Sequence, residues 1–211
     1  MKITSASFLQ TRRAAHSLVE ILVLVGALVI LIAIAAGGLT NSWRSQQIAG
    51  SAAAIAQACR MAQTYAIKQN MPVQMRIYKV RAGEVVESDP HFRAFHLVGV
   101  NASQGKDRYF QITELQQFEG TTVVSRHPQF TTLVASENPL GEVPGGTGGS
   151  GQSFNYIFVE FRPNGSTNLE VKENSPWTLT FVNDSDGGST KISKEARTLV
   201  ISAETGAVKV Y

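Results

Sequence analysis

Residues 40–73 read TNSWRSQQIAGSAAAIAQACRMAQTYAIKQNMPV, and the way this stretch ends decides the fold class. Trp43, Ile48, Ala52, Ile55, Cys59, Ala62 and Ala66 recur at steps of three, four and five, a helical average that puts them on one face. Pro72 cannot continue a helix, so an amphipathic helix is expected to end near Asn70. From there the pattern changes to short segments rich in β-branched and aromatic residues, separated by turn signals. VQMRIYKV, FRAFHLVGV, RYFQITEL, TTVVS, FNYIFVEF, TNLEV, WTLTFVN, TLVIS and AVKVY read as up to nine strands. SAETGAVKV reads as a closing hairpin with Gly206 in its turn. PLGEVPGGTGGSGQS, residues 139–153, has too little apolar surface to pack and is expected to be a flexible Gly/Pro loop. A helix followed by an antiparallel sheet or sandwich gives an α+β chain.

Working outward toward the N-terminus, Leu18 to Leu39 is an apolar run whose single charge is Glu20. At about 1.5 Å per residue it reaches roughly 33 Å, the thickness of a bilayer core, and is expected to span a membrane. Of the 19 Lys and Arg, Lys2, Arg12 and Arg13 precede the run, and the rest equal the 16 Asp and Glu in number. The basic excess is thus confined to the leader. By the positive-inside rule it places the N-terminus in the cytoplasm and exports the remainder. One cysteine, Cys59, permits no internal disulfide, and its place among Ala and Met on the helix points to packing. Gly37 and Gly38 offer a place where the helix can bend or loosen. Glu20 asks for a reason, since a carboxylate entering a membrane helix costs about 2.5–3.5 kcal/mol even on insertion scales.

The basic leader RRAA, the start HSLVE and the apolar run together resemble the class III signal of type IV pilins and type II secretion pseudopilins. ACRMAQTYAIKQNMPVQM resembles the end of the helix and the first strand in the GspH and FimT group of minor pseudopilins. VEFRPNGS resembles that group's Phe-x-Pro-x-Gly turn, and LVISAETGAVKV its last hairpin. Residues 80–150 carry no such likeness. The resemblance implies a leader at 1–15, a membrane helix and methylation region at 16–39, an amphipathic continuation at 40–71, and an extracytoplasmic β-rich domain at 72–211. It implies cleavage between Ala15 and His16 by a prepilin peptidase, with N-methylation of the new amine on His16. Ala15 stands where the family has Gly, and His16 where it has Phe. In such a filament the glutamate, here Glu20, faces the N-terminal amine of a neighbouring subunit. The partners implied are the prepilin peptidase, other pilin or pseudopilin subunits through the helix, and the cytoplasmic membrane, in a type II secretion or type IV pilus system.

Other readings have specific markers. Ala33 and Ala35 form an Ala-x-Ala, so a general signal peptidase could release a soluble domain starting at Ala36; an uncleaved chain would be a simple bitopic anchor. DNA uptake, as in some FimT-like pilins, needs cations near the C-terminus, and here GAVKVY supplies only Lys209. With no cationic excess beyond the leader, nucleic acid is not expected as a partner. Arg76, Lys79 and Arg81 read as solvated cations. His91 and His127, beside prolines, read as loop residues, and His96 as a satisfied sheet residue. No metal spacing, nucleophile elbow or phosphate loop is present, so no enzyme and no cofactor are expected. DSDGGSTKISKE places Asp184, Asp186 and Glu195 at calcium-loop spacing, but Gly188 and Ser189 break the pattern, leaving a polar turn.

Overall fold

The computed structural model describes residues 17–80, 91–101, 109–134, 143–147, 153–171 and 176–211. The chain divides into two units, Met1–Asn41 and Ser42–Tyr211, and helix α1 (Leu18–Gln69) contributes to both.

In the first unit, α1 starts where Ser17 caps it. The Glu20 N–H donates to Ser17 Oγ at 3.2 Å, and the N–H groups of Glu20 and Ile21 also reach the Ser17 carbonyl. Every side chain from Ser17 to Ala33 is exposed, from Leu18 at 80% down to Leu28 at 49%. Among the described residues no helix is long and apolar enough to cross a membrane. The described apolar side chains cover about 24 Å of helix, short of the roughly 30 Å of a bilayer core. The helical backbone runs through Gly37 and Gly38.

In the second unit, α1 buries Ile48, Ala52, Ile55, Cys59, Ala62 and Ala66 almost completely. Trp43 does not join them: it is 68% exposed, so the packed face begins at Ile48 rather than at Trp43. The helix ends as its sequence requires. Asn70 takes a left-handed conformation with φ 50°, which a short polar side chain tolerates. The Met71 N–H then reaches back to the Ala66 carbonyl at 3.2 Å, the six-to-one bond of a Schellman end. Pro72 follows, and the next residue opens the sheet.

The strands are β1 (Val73–Val80), β2 (His91–Val100), β3 (Tyr109–Gln111), β4 (Gln116–Gln117), β5 (Thr122–Val124), β6 (Val143–Thr147), β7 (Ser153–Phe161), β8 (Trp177–Asn183), β9 (Arg197–Ile201) and β10 (Val208–Val210). All pairs are antiparallel, in the order β10-β9-β8-β5-β2-β1-β7-β6, with β3 and β4 also paired to β2. In β1, Met75 lies opposite Leu97 and Val159, and Ile77 opposite Phe95 and Ile157. These residues form one apolar cluster with the buried face of α1. Each large side chain fully withdrawn from water there contributes about 1.5–3 kcal/mol, which is how the sheet holds the helix.

Two stretches differ from the sequence expectation. TNLEV is not a strand: Gly165, at φ 86°, turns the chain sharply, and Thr167 keeps only an isolated bridge to Phe161. Leu169 is buried, and the Asn168 side chain accepts a bond from the Glu160 N–H, so the segment plugs the core instead of extending the sheet. Conversely, β6 lies inside the segment 139–153 read as a Gly/Pro loop. It pairs with β7 at the sheet edge, where Pro and Gly are tolerated because only one ladder has to be made.

Candidate functional site

Two clusters gather the residues that could act on other molecules: the start of α1, and the sheet face opposite the apolar cluster.

At the start of α1, Ala15 and His16 lie outside the described residues. Ser17 and Glu20 form the S-x-x-E of a capping box, with Ser17 at N-cap and Glu20 three residues in. A carboxylate there is also favoured by the positive end of the helix dipole. The Ser17 hydroxyl thus starts the helix through the backbone N–H of Glu20, whatever the carboxylate does between subunits. The signal for it, the serine three residues before the acid in HSLVE, is visible in the sequence and needs no tertiary information.

On the sheet, Gln74, Arg76 and Tyr78 of β1 alternate with the core-facing Val73, Met75 and Ile77. Their register brings Arg76 opposite His96 of β2 and Phe158 of β7, Gln74 opposite Glu160, and Tyr78 opposite Tyr156. Arg76 is only 6% exposed, against the expectation of a solvated cation. The reason is that β1 sits between β2 and β7 with aromatic rings over its second face as well. The Arg76 guanidinium lies 4.4 Å from the Tyr109 ring centroid and 4.7 Å from that of Tyr156, and Nε and Nη2 both donate to Gln74 Oε1. Gln74 Nε2 in turn donates to Glu160 at 2.8 Å. Behind this pair, the Tyr78 hydroxyl and His96 Nε2 are 2.9 Å apart. Burial, and then the nearby Arg76 charge, push the His96 imidazole down to about 4, so it is neutral at ordinary pH. His96 Nδ1 is buried without a hydrogen-bond partner, so this histidine is satisfied at one nitrogen only. Lys79 is half-buried, with its ammonium over the Phe92 ring, and Arg81 lies outside the described residues.

The remaining candidates have structural duties. His91, expected in a loop, is instead the first residue of β2, and with Arg93 it pairs with Asp184. Asp184–Asp186 form a single tight helical turn capped by Asn183, a polar turn before β9. Among the described residues no group of three His, Cys, Asp or Glu side chains could hold a metal ion. His127 lies in a loop with its ring against Phe130. Cys59 is fully buried with its sulfur 3.2 Å from Met75 Sδ, and burial pushes the thiol up to about 12, the profile of a packing residue.

No protein-family model and no curated protein matches this sequence. Solved structures offer a likeness in fold. The chain is similar to the type IV minor pilin FimU of Pseudomonas aeruginosa, with a TM-score of 0.44 and 12% identity over 79% of this chain and 89% of that one. It is also similar to the minor pseudopilin EpsH from the type 2 secretion system of Vibrio cholerae, with a TM-score of 0.41 and 11% identity over 78% and 96%. At these values neither likeness gives any residue of this chain a role.

Proposed function

We propose that the chain is a structural subunit of the pilin or pseudopilin kind, inserted in the cytoplasmic membrane through Leu18–Leu39 and assembled into a filament through that helix. The observation that carries this reading is the first stretch of α1. It is a properly capped helix whose Leu, Val and Ile side chains are all exposed, and apolar surface on that scale marks contact with lipid or with another protein. The basic residues before it orient it, and the domain after it is the part exported. Cleavage between Ala15 and His16 by a prepilin peptidase leaves an α-amine, and Glu20 of an incoming subunit pairs with that amine on a neighbour. Opposite charges attract strongly where water is excluded, and each offsets the other's desolvation. Gly37 and Gly38 supply the place where the helix loosens as it leaves the bilayer.

The charge of Glu20 can be removed without changing the length of its side chain, so its substitution tests the proposal. Glu20→Gln keeps a side chain able to complete the capping box and removes the charge. The expected outcome is normal insertion and processing, with loss of cross-linking to other subunits. Normal assembly of that variant would remove the charge pair from the mechanism. Mass spectrometry of the native protein is expected to show a chain beginning at His16 with a methylated amine. An intact Met1 would favour the simple anchor, and a start at Ala36 the secreted domain.

A further inference from the structure

We propose that Trp43 and Arg44 of α1 are a contact for phospholipid headgroups, which fixes how far the helix sits in the membrane. The inference rests on the membrane reading above and adds to it the place where the exported part of the chain meets the bilayer surface. Trp43 is the residue that asks for a partner. The helical spacing puts it on the apolar face, yet it is 68% exposed, whereas Ile48 on that face is 1% exposed. Folded chains bury most of a tryptophan, and the other one here obeys, since Trp177 of β8 is 3% exposed. Around Trp43, the residues Ser42, Arg44 and Gln46 are exposed too, so the ring stands in a polar stretch of helix.

Three features favour a headgroup layer as the partner. The first is position. In the sequence the apolar run ends at Leu39, and Trp43 follows four residues later, about 6 Å along a helix. The polar layer on each face of a roughly 30 Å bilayer core is about 5–7 Å deep, so a residue one turn beyond the core stands in it. The second is chemistry. An indole joins a large apolar ring to a single N–H donor, and gains most at a boundary that offers hydrocarbon on one side and hydrogen-bond acceptors on the other. The third is charge. Arg44 is the first cation after the run and is exposed, and a guanidinium pairs with lipid phosphate through charge-assisted hydrogen bonds. A second copy of the chain would have to bring an apolar patch and an acid to the same spot, whereas the headgroup layer holds acyl boundary and phosphate side by side. The contact sets the depth of the helix at its far end, as the basic leader does at the near end.

The test uses the full chain reconstituted in vesicles of phosphatidylethanolamine and phosphatidylglycerol, with a fraction of the lipid carrying bromine either at the headgroup end or near the methyl end of its acyl chains. The chain has two tryptophans and Trp177 is buried, so the emission that responds to bromine is that of Trp43. Expected are a blue-shifted emission and stronger quenching by the bromine near the headgroup. Both should disappear in Trp43→Phe, which changes an exposed ring and leaves the sheet domain folded. Arg44→Glu sets an anion among the phosphates and should weaken the quenching; unchanged quenching takes Arg44 out of the contact. Stronger quenching by the deep bromine, or no quenching, overturns the inference. A protease-protected fragment holding Leu18–Leu39 reports insertion by itself. Its presence without quenching of Trp43 sinks the headgroup contact alone, and its absence overturns the membrane reading and this contact together. A blue shift that appears on concentrating the protein in lipid-free detergent, and not in vesicles, assigns Trp43 to a second copy instead.

Discussion

Helix α1 has two stretches that differ in one respect that decides what each can do. From Leu18 to Ala33 it is apolar all round save for Glu20, and every side chain is exposed; from Ile48 to Ala66 it is apolar on one face, and that face is buried. The backbone is the same α-helix in both. The pattern of side chains alone assigns one stretch to the protein's own core and leaves the other exposed. A one-sided stripe is satisfied by one sheet, whereas an all-round apolar helix needs apolar surroundings on every side.

The contrast breaks most readily at Ile55 and Leu28. Ile55→Ala empties a fully buried position and is expected to cost about 2–5 kcal/mol in urea unfolding of the sheet domain. Leu28→Ala should change the same transition by less than about 0.5 kcal/mol. Equal losses would mean that both stretches stabilise the domain alike.

Acid gives the next largest effect, through His96 in the buried unit. His96 is held down to about 4 in the folded chain, against an ordinary value of 6.5, so below 6.5 the unfolded chain takes up a proton that the folded chain refuses. Stability is therefore flat above pH 6.5 and falls as the pH drops toward 4, by less than about 1.4 kcal/mol per unit, the ceiling for one proton. His96→Gln should flatten this limb in pH-dependent denaturation curves; an unchanged slope would place the acid sensitivity elsewhere.

The smallest effect is at the exposed end. Ser17→Ala removes the cap and should cost about 1 kcal/mol of local helix stability, seen as faster amide exchange in the first turn, with Ser17→Asp restoring protection. No change on Ser17→Ala would mean that the capping bond adds nothing there.

Much of this was legible in the sequence because local rules and tertiary context agree. VQMRIYKV and WTLTFVN are β1 and β8 to the residue, and QNMP stops α1 where it reads as a stop. The misses share a cause. Alternation in VQMRIYKV puts Gln74, Arg76 and Tyr78 on one face, which reads as a wet face. What dries it is Tyr156 and Tyr109, from strands paired only by long-range register. TNLEV has strand-like composition, but the tight turn before it feeds Leu169 into the core. β6 is held by backbone bonds, to which composition is nearly blind. At the candidate filament contact, Glu20 stands out as a lone charge in an apolar run, while its capping partnership with Ser17 takes a second rule to see.

The short link from α1 to β1 has a mechanical consequence. Only Asn70, Met71 and Pro72 separate the two, so a pull carried by that link enters a strand with neighbours on both sides, β2 and β7. Antiparallel ladder bonds run perpendicular to the strands, and a pull along β1 therefore shears two ladders at once instead of peeling bonds one by one. A load along β1 is thereby shared between the β2 and β7 ladders from the first bond.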